Sequence, residues 1–408
     1  MSSEEGAYKE LMKKEKFISY SLKAIKALAT RNMILENDCI PIRIQNLSYR
    51  KIFNAIRVGM SFCTKSTKTW GWPISLQVEP SSMCNLRCVL CPVTEGMGRP
   101  TGNMDFALFK KTIDEIGDYV FLIILWDWGE PFVNLAVYDM IAYAKKRNIS
   151  LISSTNAHVF AKEENAKKLV ASGIDSIIVA IDGIKQDTYE RFRQTGKLET
   201  ALKGTRNLVA MKRALNSQTP LINFRFLATK HNEHEIPDLK KLAKSLGVDA
   251  LTIKTVNPYE SYSENRFDRQ ANFDEILPVN ERYQRFAYEE VAGEHHRIRR
   301  NSPCKRLWDC MTIRWNGVIP ICTYDYREMH VLGNIMTTSA KHIWYGDSMR
   351  SFRRQFGNNP ELIDLCKSCS YSFVGGSCDG ETIAEVFYNQ SVENLFSRPE
   401  NPEKVKPL

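Results

Sequence analysis

The chain has 408 residues, is 43% hydrophobic, and carries 56 Lys/Arg against 47 Asp/Glu. That apolar share excludes wholesale disorder, and the length argues for two or three units at roughly 150 residues each. No run of about 18 apolar residues occurs, which excludes a helical membrane span. The charge is unevenly placed: residues 1–70 hold 13 basic and 6 acidic residues, which is +7 of the net +9. A uniformly basic nucleic-acid binder would look different. The opening MSSEEGAYKE lacks the basic-then-apolar pattern of a secretory signal, so a cytoplasmic protein is expected, and there disulfides are rare. The 11 cysteines therefore call for metal binding or catalysis.

In chain order, residues 1–70 read as helical. Ile18, Leu22, Ile25 and Ala29 recur at helical spacing among lysines, and Ile52, Ile56, Met60 and Cys63 form a second stripe. The middle alternates strand and helix patterns. Strands are predicted at Ile74–Glu79, Val120–Trp126, Ile149–Ser154, Asp175–Ile181, Leu221–Thr229 and Asp249–Val256. Helices fit between them at Phe106–Ile116, Leu135–Arg147, Lys162–Ser172, Leu198–Leu215 and Glu233–Leu246, with Gly173 and Gly247 as stops. Six strands separated by helices argue for a parallel β/α sheet or barrel. Residues 258–280 are loop-like, a helix with Tyr283, Phe286 and Val291 is expected next, and 304–380 hold short strands and turns. The Pro-bearing tail, 391–408, reads as loose.

The first predicted strand runs into Cys84-Asn-Leu-Arg-Cys88-Val-Leu-Cys91. Three thiolates this close can hold three irons of a cubane cluster and leave a fourth iron open to a ligand. Structural zinc wants four protein ligands, and the next histidine is His158.

This loop resembles the signature of radical S-adenosylmethionine (SAM) enzymes. The resemblance implies a 4Fe–4S cluster whose open iron binds the amino and carboxylate groups of SAM. It also implies reductive cleavage of SAM to a 5′-deoxyadenosyl radical that takes hydrogen from a substrate carbon. An electron donor is implied too: a reductase, a ferredoxin or a flavodoxin. Trp126-Asp-Trp-Gly129-Glu130-Pro131 resembles the Gly-Gly-Glu segment that contacts the SAM amino group, with Trp128 in place of the first Gly. Ser154 and Asn156 fall in a segment similar to the ribose-contacting one. Asp182 ends the fourth strand, after Ala180, where the family often has Ser. Arg193 resembles the Arg that pairs with the SAM carboxylate, for which a guanidinium is suited. Asn232 and His234 follow the fifth strand as a cap and a surface residue, or as site residues.

The later pattern, Cys304, Gly317-x4-Cys322, Cys366-x2-Cys369, resembles the auxiliary-cluster module called SPASM or its shorter twitch form. The longer form has further cysteines shortly after the position of Cys369, and these are missing. The resemblance therefore implies one auxiliary 4Fe–4S cluster on Cys304, Cys322, Cys366 and Cys369, with a zinc ribbon as the alternative. Cys310 and Cys378 are left over, as buried small residues or as hydrogen-atom donors of the kind used by radical epimerases. Cys310 could also replace one of the four ligands. Asp325 is either a turn residue or a carboxylate that deprotonates a substrate hydroxyl while the cluster takes an electron. Trp308, Trp315 and Trp344 read as core, and Cys39 and Cys63 as packing.

Residues 1–70 either cover the open bottom or side of the barrel or bind a partner. Among partners a membrane surface or lipid-linked substrate is favoured, because an apolar stripe is flanked by lysines with Phe62, Trp70 and Trp72 nearby. RNA is not expected, and no β-hairpin of a leader-peptide-binding unit is visible.

The reading is thus an α/β chain in four parts. These are a basic helical segment (1–70), a partial (β/α)6 TIM-type barrel (71–295), an iron–sulfur auxiliary domain (296–390) and a tail. The expected reaction is oxidation or epimerisation of a sugar, cyclitol or lipid-linked small molecule. The alternative is a maturase acting on a ribosomal peptide. A non-enzymatic alternative is an iron–sulfur electron carrier or a zinc-stabilised binding module.

Overall fold

The computed structural model describes residues 24–37, 40–256, 276–284, 286, 288–291, 294–299, 304–367, 369–375 and 383–386. The expectations for residues 1–23, Cys39, most of 258–280, Cys378 and the tail lie outside the described residues.

Six parallel strands form the centre: β1 (Ser75–Val78), β2 (Leu122–Ile124), β3 (Ser150–Thr155), β4 (Ser176–Ala180), β5 (Leu221–Ala228) and β6 (Ala250–Thr255). They are short and rich in Ile, Leu and Val because both faces are covered, as in parallel sheets generally. The connecting helices match their predicted positions. Phe106–Ile116 starts where the Asp105 carboxylate accepts from Ala107 N at 2.6 Å, and Ile236–Leu246 ends on Gly247 at φ +78°. Leu76, Val78, Ile123, Leu151, Ile177, Val179, Phe224 and Phe226 pack against these helices in one large core.

Both edges of this sheet are closed by strands from late in the chain. Cys310–Ile313 adds in parallel beside β1, and Ile383–Val386 pairs antiparallel with β6. The C-terminal part therefore shares a sheet with the barrel, and edges that would otherwise be exposed are paired.

The N-terminal part differs from the helical expectation. Residues 24–30 are helical, but Met33–Asn37 and Ile40–Ile44 form an antiparallel hairpin. The alternation Ile40, Ile42, Ile44, with exposed Arg43 between, is a period-two signal that the lysine-rich helical pattern upstream masks. Ile42, Ile44, Leu47 and Ile52 pack on Phe121, Leu122, Ile124 and Ile152 in a second core. Burying each of these aliphatic side chains is worth about 2 kcal/mol. The hairpin and helix α1 (Tyr49–Cys63) thus cover the N-terminal end of the strands. Lys51 anchors α1 there, donating to the carbonyls of Arg147 (3.2 Å) and Asn148 (2.7 Å) at the end of the Val137–Lys146 helix. Cys63, expected to pack inside, is exposed at the end of α1.

A second difference follows the barrel. In place of the expected helix near Phe286, Tyr288–Val291 and Glu294–Arg297 pair antiparallel. Ala292 and Gly293 stand between them in the sequence, and a glycine there favours a turn over a helix interior. Trp308 and Trp344 are wholly buried, as expected, and donate their indole N–H groups to Ser66 O and Gly71 O, both at 2.9 Å. Trp315 is only half-buried.

Candidate active site

Cys84, Cys88 and Cys91 sit on the loop after β1. Arg87–Cys88 pairs antiparallel with Arg193–Gln194, and Val89 N donates to Phe192 O at 2.9 Å. The cysteine loop is therefore stitched to the segment carrying Arg193. Burial pushes the Cys84 thiol up to about 12 and raises Cys88 and Cys91 in the same direction; the neighbouring thiols add to the rise at Cys84. Leu86 N points at Cys84 Sγ (3.4 Å), and the N–H groups of Val93 and Thr94 bond to Cys91. Buried thiols reluctant to ionise, yet supplied with N–H donors, suit sulfurs that a metal holds deprotonated.

Cys304, Cys322, Cys366 and Cys369 form the second set. Burial raises all four, pushing Cys322 up to about 12, and mutual repulsion contributes at Cys322, Cys366 and Cys369. Backbone N–H groups of Arg306, Tyr324, Asp325 and Tyr371 bond to the sulfurs of Cys304, Cys322 and Cys369. Among the described residues no three His, Cys, Asp or Glu side chains are placed to hold a single ion. Clustered, buried thiols supplied with backbone N–H donors suit iron–sulfur binding at both sets.

Around the first set, the structure brings together the residues expected at the strand ends. Asp182, fully buried after β4, accepts from Arg193 Nε (2.6 Å) and Leu227 N (2.8 Å). Arg193 Nη1 points at Cys88 Sγ (3.8 Å). Burial opposes the guanidinium charge, but Asp182 and the Cys88 sulfur more than offset it, so Arg193 stays protonated. Asn156 Nδ2 donates to Asn85 Oδ1 (2.7 Å) and reaches toward Cys84 Sγ (4.0 Å). Ser154 is half-buried on β3. Asn232 is fixed inside the chain, donating to Asp182 O (3.0 Å) and Leu227 O (2.8 Å).

Glu130 is buried, and burial pushes its carboxyl up to about 7. Its oxygens accept from Thr155 Oγ1 (2.8 Å), Asn156 N (2.8 Å) and Phe132 N (3.4 Å). It braces the loop after β2 against the end of β3. Gly129, at φ +122°, lies so close to the cysteine loop that a Cβ would stand 2.3 Å from Ser81 O. Trp128, the departure from the family pattern, donates from Nε1 to Thr323 O (2.9 Å) and meets the Tyr326 ring edge-on at 5.4 Å.

The sequence reading missed a buried charge network beneath this contact. Asp127, at the end of β2, pairs with Arg314 and accepts from the Thr323 hydroxyl. Glu79, at the end of β1, pairs with Arg99, whose Nε donates to Tyr326 O at 2.8 Å. Glu328 adds a third carboxylate, 3.6 Å from Arg99. Burial pushes Asp127 up to about 6, against the pull of Arg314. Charged residues directly after predicted strands were the available signal. Their partners lie in the C-terminal part, which spacing alone does not reveal.

Asp325 is also wholly buried, and its two carboxylate oxygens accept from Met329 N and His330 N, each at 2.8 Å. Cys310 is buried on the edge strand, where Arg306, Asp309, Ser75 and Gln77 act on its thiol.

A family model described as "Radical SAM superfamily" matches residues 78–243, and one described as "Iron-sulfur cluster-binding domain" (SPASM) matches residues 304–370. The chain belongs to the radical SAM superfamily. Membership brings a 4Fe–4S cluster and SAM, and the SPASM match brings auxiliary iron–sulfur binding. The tungsten-containing aldehyde ferredoxin oxidoreductase cofactor-modifying protein of Pyrococcus furiosus is 26% identical, aligned over 74% of this chain and 88% of its own length. The mycofactocin maturase MftC of Mycobacterium ulcerans is 23% identical over 78% of this chain and 84% of its own. Among solved structures, Streptococcus suis SuiB bound to precursor peptide SuiA superposes with a TM-score of 0.53 at 14% identity, covering 81% of this chain and 79% of that one. That likeness shows the shared radical SAM fold. As in other members, a reductant and a substrate are required. No described helix is long and apolar enough to cross a membrane.

Proposed function

We propose that this radical SAM protein is a maturase that oxidatively modifies a carbon centre of a peptide or peptide-derived cofactor precursor. One auxiliary four-iron cluster, on Cys304, Cys322, Cys366 and Cys369, takes part. The observation carrying this reading is the direct contact between the two cluster regions: Trp128, beside Gly129 and Glu130, is hydrogen-bonded to Thr323, beside Cys322. Relatives aligned over about three quarters of the chain bear the names of cofactor-modifying and maturase proteins, which favours this substrate class over the sugar, cyclitol or lipid-linked molecule expected first.

When bound, the cluster on Cys84, Cys88 and Cys91 supplies the electron that cleaves SAM and so generates the radical that takes a substrate hydrogen. Arg193, held by Asp182, presents its remaining N–H groups to the SAM carboxylate. Gly129 lets backbone approach the cysteine loop where a side chain would collide. Glu130 fixes the ends of β2 and β3 and keeps lone-pair capacity for the SAM ammonium. Asn156 ties β3 to the cysteine loop, with Ser154 beside it for the ribose. Asp325 holds the turn after Cys322 through the backbone N–H groups of Met329 and His330. Cys310 is a packing residue of the edge strand.

Comparative mass spectrometry of cells with and without the gene tests the substrate class. A short peptide that loses two hydrogens only when the gene is present is the expected result. A change confined to sugars or lipid-linked sugars overturns it.

A further inference from the structure

Helix α1 buries Lys51, Ile52, Asn54, Val58 and Ser61 against the molecule. Its opposite side turns large side chains to solvent: Tyr49 is 54% exposed, Phe53 53% and Met60 51%. Spacings of four and seven residues put these three on one strip of the helix. Arg50 and Arg57, both exposed, flank the strip. Trp70, also exposed, joins Phe53, Arg50 and Arg57 around one open cleft of about 400 Å³. Trp72, stacked on Tyr119 with ring centroids 5.6 Å apart, lines the same cleft. Arg50 pairs with Asp118 at 2.7 Å, and Arg57 has no carboxylate partner among the described residues.

Exposed aromatic and aliphatic side chains gathered on one rigid surface mark an interaction site. Here they stand on the outer side of α1 and around its cleft, with Arg50 and Arg57 beside them; in the sequence residues 1–70 carry +7 and the other 338 residues +2. Protruding Phe, Trp and Met beside arginines match what the headgroup boundary of an anionic bilayer accepts. Apolar tips enter the acyl region and guanidinium groups meet phosphates.

We propose that this face of α1 docks the protein on an anionic membrane surface, with Phe53, Met60 and Trp70 inserted and Arg50 and Arg57 on lipid phosphates. The surface lies at the N-terminal ends of the strands, covered by α1, whereas the cysteine loops lie at the opposite ends. Docking therefore localises the enzyme and leaves the active-site end facing away from the bilayer. The inference is independent of the substrate class proposed above.

The test uses the full-length, cluster-loaded protein and vesicles of phosphatidylcholine alone or mixed with phosphatidylglycerol. Co-sedimentation is expected with the mixed vesicles only, with a blue shift of tryptophan emission that Trp70→Phe diminishes. Arg57→Glu is expected to lower the partition coefficient about tenfold or more. Phe53→Ser with Met60→Ser is expected to lower it even at low salt, with unchanged absorbance of the clusters and unchanged 5′-deoxyadenosine formation. No binding to the mixed vesicles, or binding that these variants leave unaltered, overturns the proposal. So does capture of an acidic peptide by the Arg57 face with vesicles left unbound.

Discussion

Arg314, from the C-terminal module, is wholly buried with its guanidinium on the carboxylate of Asp127 at the end of β2. Neither residue has water as an alternative partner, so each neutralises the other where the loop after β2 meets the Cys322 loop. Removing one member strands the other. Asp127→Ala is expected to cost about 3 kcal/mol, near the lower end for broken buried pairs, because Glu79 lies 3.7 Å from Arg314. Urea unfolding measures the loss. Asp127→Asn, which keeps a partner for Thr323, is expected to lose less. Equal, negligible costs for both variants would mean the pair is solvated.

The two cysteine sets are separable by iron content. Two four-iron clusters require about eight irons per chain. Replacing Cys84, Cys88 and Cys91 with Ala is expected to leave about four, and to abolish 5′-deoxyadenosine formation. Replacing Cys366 and Cys369 is also expected to leave about four, with SAM cleavage retained and product formation lost. Iron analysis and chromatography of 5′-deoxyadenosine read both outcomes. Full iron retention in the Cys366/Cys369 variant would exclude the auxiliary assignment.

Gly129→Ala tests the close approach of two backbones. The new Cβ would lie 2.3 Å from Ser81 O, at a φ that side chains rarely adopt, so the loop must move. A displacement of about 1 Å at a reacting centre costs on the order of 100-fold in rate. The expected result is a fall of that size in kcat/KM for SAM, with both clusters intact by absorbance. An unchanged kcat/KM would place the SAM ammonium elsewhere.

Lys51 gives the barrel floor a pH signature. Burial pushes its ammonium down to about 8 from its ordinary 10.5. Between those values the unfolded chain binds the proton more tightly than the folded one, so stability rises with pH across that window and is flat below it. The rise is of order 3 kcal/mol. Lys51→Met lacks it, so the gap between wild type and variant in urea midpoint should shift in favour of wild type from pH 8 to 10.5. Parallel pH profiles would contradict the burial.

Much of the site was legible because its signals are local. Cys84, Cys88 and Cys91 are spaced within reach of one cluster by the chain itself, and Asp182 and Arg193 sit at predicted element ends. The strand pattern was equally local: apolar runs of β-branched residues bounded by turns mark strands buried on both faces. The hairpin under the barrel was not seen, because five-residue strands beside a lysine-rich helical pattern give a weak signal.

The sequence alone determined the six strands with their helices and the close spacing of Cys84, Cys88 and Cys91. Each depends on contacts the chain makes over short separations or on the period of its apolar residues. Only the tertiary structure decided that Trp128 bonds to Thr323, that Arg314 neutralises Asp127 across 187 residues, and that Cys310–Ile313 completes the barrel sheet. Those relationships are set by which buried charges and open strand edges meet when the layers pack. Packing joins residues without regard to their distance along the chain.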